Sequence, residues 1–118
     1  MRRFLLLTTA LLLMTTFRGT ATDLVEIRVN GHYFAEPATV MITVAIEPDQ
    51  ANRTLRVEAD GDSMFRSTEV PLDGLSEKRL HSVEFKNLPA GQYELRAEVL
   101  SATKVRATAL QDLEVTGR

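Results

Sequence analysis

Tyr93-Glu94-Leu95-Arg96-Ala97-Glu98-Val99 decides the fold, because every odd residue is aromatic or aliphatic and every even one is charged. Side chains along a strand point alternately to its two faces, so the stretch reads as a half-buried β-strand with Tyr93, Leu95, Ala97 and Val99 inward. The same period extends upstream. Val25, Ile27 and Val29 alternate with Glu26 and Arg28 before Asn30-Gly31. Val40, Ile42, Val44 and Ile46 form a second run, ended by Glu47-Pro48-Asp49. Leu55, Val57 and Ala59 form a third, and Asp60-Gly61 after it is expected to be the hairpin turn. Met64 to Val70 is a weaker strand closed by Pro71, which suits a sheet edge because a central ladder would need its missing N–H. His81, Val83 and Phe85 make the fifth strand. Downstream, Val105, Ala107 and Ala109 open a seventh, with a bulge or break expected near Leu110–Asp112 before Leu113 and Val115. No helical period follows residue 22. Seven short, regularly spaced strands predict an all-β sandwich of two antiparallel sheets.

The first 21 residues read differently. Arg2 and Arg3 precede a run from Phe4 to Met14 that is apolar apart from Thr8 and Thr9. Gly19-Thr20-Ala21 supplies small residues at cleavage spacing, so residues 1–21 are expected to be a signal peptide and 22–118 the domain. The run is shorter than the roughly 20 residues that span a bilayer. The expected address is secreted or periplasmic. With Arg2, Arg3 and Arg18 gone, the 14 basic residues fall to 11 against 16 acidic ones, a formal charge of −5. A mildly acidic domain of mixed sign has no footprint for nucleic acid or anionic lipid. The chain has no cysteine, which removes disulfides, thiolate metal sites and a lipoprotein anchor.

Leu88-Pro89-Ala90-Gly91-Gln92-Tyr93 resembles the turn into the sixth strand of immunoglobulin-like and fibronectin type III domains. There a tyrosine at the strand's start hydrogen-bonds back to nearby backbone, the tyrosine corner, which the resemblance assigns to Leu88, Gly91 and Tyr93. Asn30 to Ala38, Val40 to Ala45 and Leu55 to Gly61 extend the likeness to bacterial immunoglobulin-like domains of secreted glycoside hydrolases and surface proteins, over Leu24 to Val115. Two places depart from that pattern: Leu100-Ser101-Ala102-Thr103 where an Asp-Asn-Gly-like turn is usual, and Ala59 where an aromatic residue often follows. The resemblance implies an immunoglobulin-like sandwich and marks the fold more than the function. Antibody-type domains centre their core on a disulfide and a tryptophan. Here those positions fall near Ile42 or Val44, Leu55 or Val57, and Leu95, all aliphatic. Each fully buried aliphatic side chain contributes roughly 1.5–3 kcal/mol, enough together to replace the bridge.

No catalytic constellation emerges. His32 and His81 are the only histidines, no serine sits on a glycine-flanked elbow, and His81 shares a strand face with Val83 and Phe85. The acids alternate outward on strands rather than opposing one another across a cleft. Asp60 and Asp62 flank Gly61 and are the one local lead for calcium, although Asp-Gly serves a turn on backbone grounds alone. No cofactor is expected. Asn52-Arg53-Thr54 matches a glycosylation sequon and is read as chance. Phe85 and Tyr93 are expected inside and Phe34 over the sandwich end, which leaves Tyr33 and Phe65 as the exposed aromatic candidates for binding. The outward residues Arg56, Glu58, Glu94, Arg96, Glu98, Lys104 and Arg106 would give a charged face. The expected role is a module that binds an envelope or extracellular protein, through end loops around Tyr33 and Leu100–Lys104 or by strand addition near Phe65, or that serves as a structural element at the cell envelope. A small carbohydrate-binding module, accessory to polysaccharide-degrading enzymes, is the alternative.

Overall fold

A computed structural model describes residues 24–31 and 33–117; the expected signal peptide and His32 lie outside the described residues. Seven strands run in chain order as β1 (Val25–Asn30), β2 (Ala38–Ile46), β3 (Thr54–Gly61), β4 (Phe65–Pro71), β5 (Leu80–Leu88), β6 (Gly91–Leu100) and β7 (Val105–Val115). A 3₁₀ turn, Gly74–Ser76, interrupts the connection from β4 to β5. One sheet has the order β1-β2-β5 and the other β4-β3-β6-β7, and every neighbouring pair of strands is antiparallel. The protein is thus an all-β sandwich of two antiparallel sheets. The first, second and fifth strands face the third, sixth and seventh as in an immunoglobulin-like sandwich, and β4 extends the larger sheet.

The period of two decides what is buried. Val40, Ile42 and Val44 of β2 face Leu55, Val57 and Ala59 of β3 and Leu95 and Ala97 of β6, none of them accessible to solvent. These aliphatic side chains occupy the centre of a continuous core that reaches Phe85, Leu88, Tyr93, Leu113 and Val115. No buried side-chain nitrogen or oxygen lacks a hydrogen-bond partner among the described residues.

Two local expectations need correction. Asp60 and Gly61 are the last residues of β3, and the turn lies one step later: Gly61 N donates to Met64 O at 2.8 Å, which leaves Asp62-Ser63 as the loop. The glycine is required for a different reason. Gly61 stands opposite Tyr93 in the ladder, and a Cβ there would come within 2.6 Å of the ring's Cδ2 and Cε2. β7 is likewise unbroken. Its register with β6 runs without a shift from Ala107↔Val99 to Val115↔Gly91, and the irregularity lies at Val99/Leu100, opposite Arg106. Residues 107, 109, 111, 113 and 115 form one inward row. Gln111 interrupts its apolar character, which reads falsely as a change of phase.

Pro71 ends β4, whose only neighbour is β3. Leu72 N donates to Arg53 O at 2.9 Å, so the alternation places the nitrogen of Pro71 on the open side, where no donor is needed.

Candidate functional site

Strand directions gather most of the candidates at one end. The ends of β1, β3, β5 and β7 and the starts of β2, β4 and β6 meet there, as the pairs Asn30↔Met41, Ala38↔Leu88, Gly91↔Val115 and Asp60↔Phe65 require. Tyr93 Oη donates to Pro89 O at 2.6 Å, tying β6 to the loop that arrives from the other sheet. Leu88 is fully buried under this corner, and Gly91 holds φ 154°, a backbone conformation that L side chains rarely adopt. Burial pushes the Tyr93 phenol above its ordinary pKa, Glu36 raises it further, and Arg66 opposes the shift. Glu36 also accepts the Ala90 N–H at 3.1 Å.

Tyr33 and Phe65 share this end and do not form one platform. Tyr33 is 77% exposed beside the β1/β7 margin. Phe65 is 56% exposed on the outer face of β4, at the far edge of the same sheet as β7. Three strand spacings separate those edges, roughly 14 Å. The Leu100–Lys104 turn is farther still. β6 has 10 residues, and its length puts that turn at the opposite end from Tyr33, roughly 30 Å away. The end loops around Tyr33 and around Leu100–Lys104 therefore present two separate surfaces.

The remaining candidates have local explanations. His81 is only 4% exposed, with Nε2 3.1 Å from Lys78 O. Asn52 is 2% exposed, donates to Glu47 O at 3.1 Å, and accepts from Arg106 at 2.6 Å, so the sequon asparagine is enclosed. Arg106 also reaches Asp49 at 3.3 Å, and so leaves the charged outer face on which it was expected. Asp60 and Asp62 are exposed, and no group of three or more potential ligands that could hold a metal ion occurs among the described residues.

The outer face of the larger sheet is an ordered charge array. Arg56 bridges Glu69 at 3.2 Å and Glu98 at 3.1 Å, and Arg96 bridges Glu58 at 3.0 Å and Glu94 at 2.9 Å. The Glu69 hydrogen bond foremost raises the Arg56 pKa, and the Glu58 hydrogen bond does the same for Arg96. Three of these pairs cross between strands and Arg96–Glu94 runs along β6; all are partly exposed to water, which screens them, so they order the face more than they stabilise it. The next row toward the Tyr93 end is different. Asp112, Glu94 and Asp60 lie side by side on β7, β6 and β3, three carboxylates in line, with Arg96 reaching only Glu94.

Beside that row the two sheets part. A groove of about 600 Å³ runs between β1 and β7, with Ile27, Val29, Phe34 and Leu113 among its apolar walls and Tyr33, Asp112 and Glu114 along it. One end is closed where Thr116 donates to Phe34 O and accepts from Glu36 N, both at 2.9 Å, in a parallel bridge. Leu110 stands 59% exposed on the same strand. The break expected at Leu110–Asp112 hides this groove, because it cuts into the Gln111–Glu114 stretch that forms one wall. The unbroken odd-numbered row was the available signal.

No protein-family model matches the chain, and neither does any curated protein.

Proposed function

We propose that this protein is an exported, non-enzymatic immunoglobulin-like module that binds another protein of the cell envelope or the extracellular space. The observation that carries the reading is the β1/β7 seam, where an edge strand of 11 residues borders a groove with apolar walls and an exposed tyrosine. An open strand margin is a template for another chain, and natural sandwiches usually blunt such margins. The leader-like residues 1–21 and the lack of cysteine suit a domain that matures outside the cytoplasm without staples.

Cross-linking of the tagged protein in its own envelope fraction, followed by capture, tests this. One specific partner is expected, lost on Tyr33→Ala combined with Leu110→Lys. Recovery of no specific protein, together with saturable polysaccharide binding lost on Tyr33→Ala, would move the assignment to a carbohydrate-binding module.

A further inference from the structure

β7 pairs with β6 along one margin, and among the described residues its other margin carries only the bridge from Ala35 to Thr116 just past the strand's end. Thr116 directs both backbone groups into that free margin, to Phe34 and Glu36. Backbone groups alternate sides along a strand, so Glu114, Asp112, Leu110 and Thr108 aim their N–H and C=O the same way. Four residues of unpaired ladder thus continue the line that Phe34–Glu36 begins.

We propose that this margin accepts an extended polypeptide segment by strand addition, and that the segment alternates basic with apolar side chains. Both halves of the pattern follow from the pleat. Side chains on one face of an added strand would enter the groove, against Ile27, Val29, Phe34 and Leu113. Those on the other face would lie beside Asp112 and Glu114, neither of which takes part in an ion pair among the described residues. Asp112 also ends the row of three adjacent carboxylates, whose mutual repulsion a cationic neighbour would relieve. Arg28, on the groove's other lip, is already matched by Glu26 at 2.9 Å. A second copy of β7 is disfavoured as occupant because it would bring another Asp112 and Glu114 to the same margin.

This inference rests on the protein-binding reading above, and a partner captured at another surface would leave that reading standing while overturning this one. The test uses the purified protein with a labelled ten-residue peptide alternating lysine and valine. The same composition in two blocks and a glutamate-for-lysine version serve as comparisons. Saturable binding of the alternating peptide is expected, at least tenfold tighter than either comparison peptide. Asp112→Lys combined with Glu114→Lys should weaken it at least tenfold. Hydrogen exchange at the amides of Thr108, Leu110, Asp112 and Glu114 should slow in the complex. Equal binding of the block peptide, unchanged exchange at those amides, or a peptide-free dimer that protects them would each overturn the proposal.

Discussion

Along the β4/β5 seam, Arg66 crosses from one sheet to the other and donates to Lys86 O at 2.8 Å, while the connection after β4 buries Leu72 against the core. Arg79 of the same connection pairs with Glu47 at 3.0 Å, and Pro71 blunts the β4 margin. Along the β1/β7 seam, by contrast, closure is confined to the ends: the Thr116 bridge at one, and Arg106 with the buried Asn52 at the other. A sandwich of two short sheets has four margins to manage. Here the chain spends a proline and a crossing arginine on one side and leaves the other with an unbroken ladder. The difference is one of local chemistry, since both seams border the same core.

The largest effect should come from the corner where β3 meets β4. Gly61→Val would drive its Cβ into the Tyr93 ring, displacing the hydroxyl from Pro89, at a cost of about 3 kcal/mol by denaturant titration. Gln111→Val, in the inward row of β7 beside the groove, should change stability by no more than about 0.5 kcal/mol. Comparable losses at the two sites would mean that the groove is packed as tightly as the corner. Next in size is Asn52→Leu at the upper closure of the open seam. It would strip a partner from Glu47 O and from the Arg106 guanidinium, costing about 2 kcal/mol. A loss under about 0.5 kcal/mol would show that water replaces both bonds.

The contrast also marks what could be read from the residues alone. Period-two alternation fixed the number of strands and which residues face inward, because burial on one face makes a slip of register expensive. Ile42, Val57 and Leu95 were legible as core for that reason. Turn position was less legible, because Asp60-Gly61 satisfies a hairpin preference and a steric demand from Tyr93 with the same two letters. The groove was legible only through the unbroken odd-numbered row of β7. It depends on which edge strands overlie one another across the sandwich, and Gln111 in an otherwise apolar row hides the continuity of β7. That Tyr33 and the Leu100–Lys104 turn lie at opposite ends follows from topology, which a linear pattern does not encode.

Tyr93→Phe is a smaller perturbation than Gly61→Val at the same corner. It keeps the ring over Gly61 and removes one hydrogen bond, costing about 1 kcal/mol. Its pH dependence separates the hydroxyl from the ring. The folded-state pKa of Tyr93 lies above the ordinary phenol value of 10.0, so its contribution is complete below pH 10 and is lost as pH rises through the folded value. The wild type should therefore lose stability more steeply than Tyr93→Phe as pH rises above 10. Parallel curves of midpoint against pH would show that the phenol ionises as easily in the fold as in the unfolded chain.

The smallest expected effect tests the closed seam itself. Arg66→Met keeps an unbranched stem between the sheets and removes the guanidinium that caps Lys86 O. Because that carbonyl lies at an exposed margin, water replaces the donor, and the cost should be about 0.5–1 kcal/mol in the urea midpoint with an unchanged slope. A larger loss than Asn52→Leu produces would reverse the comparison, making the crossing arginine the principal tie between the sheets. A loss of the expected size leaves a sharper question, which the lysine–valine peptide answers. If Arg66 protects the β5 margin rather than merely bonding to it, Arg66→Met should gain peptide-dependent protection at the amides of Glu84 and Lys86. The wild type would show none there, because its guanidinium already occupies the carbonyl that an added strand would need.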